Sequence, residues 1–227
     1  MCFSAIASFT AAALLIPTGL YACKFAWDRD IRYLPLAFIP CAFGIQQGFE
    51  GVEWLGLAHQ QIDLIRPAAL GFLFFSHWFW LIWIALAVFF LEHRIWVKRM
   101  MLAIMVLGFL FGSSLYEPFL FKAGSFLPTV AHSSIDYQTQ LIYDRWFPRY
   151  VSRFIYLLIV VGPFWLAQSV QLKLFGSLVA LSLIGTYLFY NYAFASVWCF
   201  FAAVLSLYIV YVVDSSTALS TNKLGSS

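Results

Sequence analysis

Charge is scarce in this chain. Of its 227 residues, 13 are Lys or Arg and 10 are Asp or Glu, 10% in all, where a soluble domain carries about 25%. With 63% hydrophobic residues and a mean hydropathy of +0.86, that deficit excludes a water-soluble globule, which has no way to hide so much apolar surface. The net charge of +3 is small, and the basic residues stand between apolar runs. A nucleic-acid-binding patch is therefore excluded, and no nucleic acid is expected as a partner. Only four cysteines occur, Cys2, Cys23, Cys41 and Cys199, with no CxxC or zinc-finger spacing. There is no HxxxH or HExxH. The last apolar run contains no lysine, which excludes a retinal Schiff base of the rhodopsin type. The N-terminal stretch ends Leu20-Tyr21-Ala22-Cys23, faintly like a lipoprotein cleavage site. It lacks a basic n-region, and Tyr21 is bulky where a small residue is needed, so a retained first helix is expected.

What the chain has in quantity is long apolar runs. A spanning helix needs roughly 20 apolar residues, and seven such runs are present, at about 4–25, 34–57, 67–91, 99–120, 150–169, 173–191 and 193–213. The expected fold is all-α, a membrane bundle of seven transmembrane helices over residues 1–213. A polar extracytoplasmic loop is expected over about 121–149, and a disordered Ser/Thr-rich tail over 214–227. Lys and Arg set the orientation. One side carries Lys24, Arg29, Arg32, Arg94, Lys98, Arg99 and Lys173, and the other carries Arg66, Lys122, Arg145, Arg149 and Arg153. The bias of seven to five favours an outside N-terminus and a cytoplasmic C-terminus. The third run is rich in aromatics at Phe74, Phe75, Trp78, Phe79, Trp80 and Trp83. These read either as packing and lipid-facing groups or as a wall around an apolar or lipid-like ligand.

The polar residues within these runs are few, and each costs several kcal/mol unless it has a partner, a cavity or a function. Gln46, Glu50 and Glu53 are spaced i, i+4, i+7, which puts them on one helix face. Gly44, Gly48 and Gly51 thin the same helix for close approach of a neighbour. His77 lies about ten residues inside its run, roughly 15 Å deep and near the bilayer midplane. Tyr116 and Glu117 close the fourth run, Asn191 lies between the sixth and seventh, and Trp198 and Cys199 open the seventh. Ser4 and Ser8 share a face near Cys2, and His132 falls in the outer loop. Alternating helix direction sends Cys2, Gln46, Glu50, Glu53, Tyr116, Glu117, Asn191 and Cys199 to one half of the bilayer, the outer half in the favoured orientation. His77 is expected just below them.

Imidazole, carboxylate and thiolate are the ligands of zinc and other transition metals. Such a site lowers the pKa of bound water to about 7. The expectation is a metal-dependent membrane hydrolase of a lipid-like substrate, with His77, Glu50 and Cys199 as metal ligands and Glu50 and His77 catalytic. The pocket is expected to include Cys2, Gln46, Glu53, Trp78, Tyr116, Glu117, Asn191, Trp198 and Cys199, with membrane lipid around it. The alternative is a proton- or cation-coupled transporter, or a small-ligand-binding membrane protein. Polar groups in the other half are limited to Thr18, Ser169 and Ser177, which favours a one-sided pocket over a channel.

Three segments carry a resemblance: Met1-Cys2-Phe3-Ser4-Ala5, then Gly44-Ile45-Gln46-Gln47 with Glu50-Gly51, and Ser196-Val197-Trp198-Cys199-Phe200-Phe201-Ala202-Ala203. They resemble an uncharacterised family of small bacterial membrane proteins that begin Met-Cys-Phe/Trp-Ser. The resemblance implies a seven-helix fold and brings no activity or catalytic residue. Ceramidase-like and progestin-receptor-like membrane hydrolases carry several helical histidines, a pattern absent here.

Overall fold

A computed structural model describes residues 4–121, 126, 128–131, 134–137, 148–189 and 194–224. The described residues are all-α apart from one short pair of strands. α1 (Ala5–Arg29) starts at Ser4, whose hydroxyl accepts from the Ala7 amide at 3.3 Å and satisfies one of the unbonded donors of the first turn. A 3-10 turn and the single-turn α2 (Leu34–Ala37) lead into α3 (Ile39–Ala58). α4 (Ile62–Phe74) runs through a π-helical turn, Phe75–Phe79, into α5 (Trp80–Leu91). α6 (Ile95–Phe121), α7 (Arg149–Leu166), α8 (Val170–Phe189) and α9 (Phe194–Leu224) complete the bundle.

Among the described residues, six helices are long and apolar enough to cross a membrane: α1, α4–α5, α6, α7, α8 and Ser196–Ser215 of α9. The seventh long helix, α3, falls outside that set because it carries Gln46, Gln47, Glu50 and Glu53. It is enclosed by α1, α4 and α9, and those four side chains are all buried. By contrast, α6 turns Leu102, Val106, Leu107, Phe109 and Leu110 outward, fully apolar side chains suited to lipid.

Two features of the chain differ from the sequence expectation. Within the polar loop, β1 (Thr129–Ala131) and β2 (Ser134–Asp136) pair antiparallel, with Val130 opposite Ile135. Their β-branched residues favour extended backbone. The tail expected to be disordered continues α9 as helix to Leu224. No glycine or proline interrupts residues 214–224, and extending an existing helix avoids the cost of nucleation.

The aromatic run of α4–α5 ties helices together. The Trp80 ring stacks on Phe43 of α3 at 3.9 Å, and Trp83 stacks on Phe79 at 5.0 Å. The three indoles donate to three different elements: Trp78 to Ser113 Oγ at 3.1 Å, Trp80 to Gln46 Oε1 at 2.8 Å and Trp83 to the Pro35 carbonyl at 2.9 Å. Each buries a large apolar area while its one polar atom stays satisfied.

Candidate functional site: a buried carboxylate pair on α3

The site is built on the face of α3 that the i, i+4, i+7 spacing marks out. Gln46, Gln47, Glu50 and Glu53 are each 0% exposed. α1 comes close enough to enclose them because α3 lacks side chains at two contact points. A Cβ at Gly44 would lie 2.7 Å from Ile16, and one at Gly51 would lie 2.7 Å from the Phe9 ring. Gly48 faces open space and takes no part in this approach.

Each carboxylate is met by hydroxyls from other elements. Ser8 of α1 donates to Glu50 Oε2 at 3.4 Å, and Ser196 in the first turn of α9 donates to Glu50 Oε1 at 2.5 Å. Tyr137, just after β2, donates to Glu53 Oε2 at 2.7 Å. Glu50 and Glu53 lie within electrostatic range of one another. Cys199, one turn beyond Ser196, lies beside the Gln46 amide without hydrogen-bond geometry, and within range of Glu50. Below this polar layer is an apolar cavity of about 30 Å³ lined by Trp80, Tyr156, Trp198 and Cys199 among others.

Several buried polar atoms here have no partner among the described residues: Glu53 Oε1, both amide atoms of Gln47, Gln46 Nε2, Trp54 Nε1 and the Ser134 hydroxyl. Native interiors leave few such atoms, since each costs about 1–3 kcal/mol. Those atoms are concentrated on and around one face of α3.

The chain belongs to the DUF6629 family. That family is described as one of unknown function, and its model matches residues 1–223. Comparison with curated proteins finds no match, and comparison with solved structures finds none either.

For this family member, the structure separates the residues singled out from sequence into distinct groups. Gln46, Glu50, Glu53 and Cys199 come together. His77 does not join them, so the expected Glu50–His77 pair is not formed. His77 Nδ1 lies 2.8 Å from Ser76 Oγ, and its ring packs edge-on against Phe119 of α6 at 5.3 Å. The reason is the π-helical turn, whose extra residue changes the phase of the side chains that follow. Trp80 then faces α3, while His77 faces α6. The expected ligand set of His77, Glu50 and Cys199 is divided accordingly. Among the described residues, no three His, Cys, Asp or Glu side chains form a metal-holding group.

Trp78 and Trp198 also lie outside the polar layer. The Trp198 indole donates to Val179 of α8, and its ring packs on Tyr156. Tyr116 donates to the Leu70 carbonyl at 3.1 Å and serves packing between α6 and α4. Glu117 is exposed. The buried stripe of α6 runs through Gly108, Gly112, Leu115 and Phe119, and position 117 falls on the opposite face. Cys2, Asn191 and His132 lie outside the described residues.

Four residues of this cluster were not assigned to the site from sequence: Ser8, Gln47, Ser196 and Tyr137. For Tyr137, the alternation Ile135–Tyr137 was the available signal, since Ile135 is 0% and Tyr137 4% exposed. Its ring lies parallel to Phe72 at 5.1 Å. Tyr137→Phe keeps that stack and removes only the donor to Glu53. The expected loss is about 1–2 kcal/mol, read from thermal unfolding in detergent. A double-mutant cycle with Glu53→Gln should show coupling between the two positions, and additive losses would mean the hydrogen bond contributes nothing.

Proposed function

We propose that this chain is an integral membrane protein that takes up protons or a small cation in a one-sided pocket built on Glu50 and Glu53. The carrying observation is that both carboxylates are fully buried one turn apart on the same helix. They are solvated by hydroxyls of Ser8, Ser196 and Tyr137, and hydroxyls donate hydrogen bonds without cancelling charge. In a low-dielectric interior, neighbouring carboxylates repel strongly, and a proton or cation relieves that repulsion.

In this reading α3 is the seventh span, shielded from lipid by the helices around it. The basic-residue bias supports an outside N-terminus and a cytoplasmic C-terminal end. The pocket then lies in the outer half, reached from the β1–β2 side, where Tyr137 covers Glu53. Metal-dependent hydrolysis of a lipid-like substrate relied on His77 acting with Glu50. With His77 held at Ser76 and Phe119, the residues support binding better than hydrolysis.

The test is uptake by purified protein in lipid nanodiscs, with proton stoichiometry followed through the carboxyl infrared band and cation binding by calorimetry. The wild type should take up at least one of the two reversibly. The Glu50→Gln/Glu53→Gln variant, kept folded by near-isosteric amides, should lose that uptake. Equal uptake by the two proteins would refute the proposal.

A further inference from the structure

We infer that the ligand of the α3 site is a hard, oxygen-coordinated metal cation of the sodium or calcium kind, with Gln47 as one of its ligands. This rests on the reading of Glu50 and Glu53 as a cation-uptake pair and names the class of cation.

The argument begins with the donor atoms. Oxygen dominates the polar layer: the carboxylates of Glu50 and Glu53, the Gln47 amide carbonyl, and the hydroxyls of Ser8, Ser196 and Tyr137. Among the described residues, the only soft atom nearby is the Cys199 sulfur, and the only deep imidazole, His77, lies in another cluster. Carboxylate, carbonyl and hydroxyl oxygens suit hard cations, whereas thiolate and imidazole select zinc and copper.

Gln47 supplies an independent observation. It is 0% exposed and stands one turn before Glu50 on α3. Both its amide oxygen and its amide nitrogen lack a partner among the described residues. A glutamine buried to that degree normally satisfies both atoms. The free oxygen of Gln47 and the free Oε1 of Glu53 are acceptor atoms already stripped of water, as a cation requires. The donors come from α1, α3, α9 and the segment after β2, so the cage can adjust its radius. That suits sodium or calcium, which tolerate irregular coordination at longer distances. Magnesium demands near-ideal octahedral geometry and sheds its water reluctantly, and this site is closed to bulk water.

The experiment is calorimetric titration of the full chain in nanodiscs with Na⁺, Ca²⁺, Mg²⁺ and Zn²⁺ separately, beside proton uptake at Glu50 and Glu53. Sodium or calcium should bind more tightly than magnesium or zinc. Gln47→Leu should weaken that binding at least about tenfold. Gln47→Glu restores an oxygen donor and should bind close to wild type. Thermal unfolding without cation checks that each variant is folded. If Gln47→Leu does not fold, the Gln47→Glu variant and the cation series still decide. Wild-type proton uptake with no hard-cation binding would overturn this inference and leave the cation-uptake reading intact. Preference for zinc, or Gln47→Leu binding like wild type, would overturn it as well. Absence of both proton and cation uptake would remove the two together.

Discussion

Glu92→Ala is expected to destabilise the bundle by about 3 kcal/mol, measured as a loss of unfolding free energy in detergent. Glu92 sits in the turn between α5 and α6 and is only 3% exposed. Its Oε1 accepts from the His93 amide at 3.0 Å, the Arg94 amide at 3.1 Å and Arg94 Nε at 3.0 Å. Its Oε2 accepts from Arg94 Nη2 at 2.8 Å and from the Gln168 amide at 3.1 Å. Arg94 Nη2 also donates to the Leu166 carbonyl at 2.6 Å, at the end of α7. One carboxylate thus joins the α5–α6 turn to the α7–α8 turn and serves amides that neither turn can satisfy alone. Removing it strands several donors at once. A cavity of about 60 Å³ beside Glu92 has room for water that recovers part of the loss, which places the estimate at the low end for a broken buried pair.

The same node predicts a pH dependence. The Arg94 guanidinium, helped by the His93 and Arg94 amides, holds the Glu92 carboxyl down at about 2 from an ordinary value of 4.5. A carboxyl lowered in the folded state stabilises it fully above the unfolded value, and that contribution disappears as pH falls through the folded value. Glu92→Gln should therefore differ most from wild type above about pH 4.5. The gap in Tm should narrow between 4.5 and 2 and close below that. A gap constant down to pH 2 would mean that the carboxylate charge contributes nothing.

Gly108→Val is expected to cost about 3 kcal/mol or more, seen as a large fall in Tm or in the yield of folded protein. A Cβ at Gly108 would lie 2.1 Å from the Leu81 carbonyl oxygen and 2.8 Å from its carbon. Those are backbone atoms of α5, so no side-chain rotation relieves the clash and α6 must move away. Close helix approach at small residues is what holds such bundles together where lipid supplies no hydrophobic drive. Gly185→Ala is the control. Nothing lies within 4 Å of the position its Cβ would take, and a helical Gly→Ala change there should stabilise by about 0.5–1 kcal/mol. If both variants behave alike, the α5–α6 approach is not tight.

Much of the site was legible because helix geometry is local. The spacing of Gln46, Glu50 and Glu53 implied a shared face, and they share it. Cys199 near the start of α9 lies beside the Gln46 amide. His77 failed for a local reason that composition does not reveal. Depth along the run does not say which neighbour a side chain faces, and the turn Phe75–Phe79, being π-helical, shifts the phase there. Glu117 failed because periodicity alone did not say which face of α6 was buried. Gly108 and Gly112, rather than a hydrophobic stripe, mark that face. Tyr137 lay beyond helical reasoning altogether, in a segment that reads as a polar loop.

By itself, the sequence determined that this chain is all-α with helices suited to a membrane, and that Gln46, Glu50 and Glu53 share a helix face. Scarcity of charge and the length of the apolar runs suffice for the first, and the i, i+4, i+7 spacing for the second. Only the tertiary structure decided which of those polar residues touch. Contact between helices depends on where glycine lets backbones approach, on the phase change of the π turn, and on the β1–β2 pair that brings Tyr137 to Glu53. These are properties of packing between segments far apart in the chain, and no local pattern encodes them.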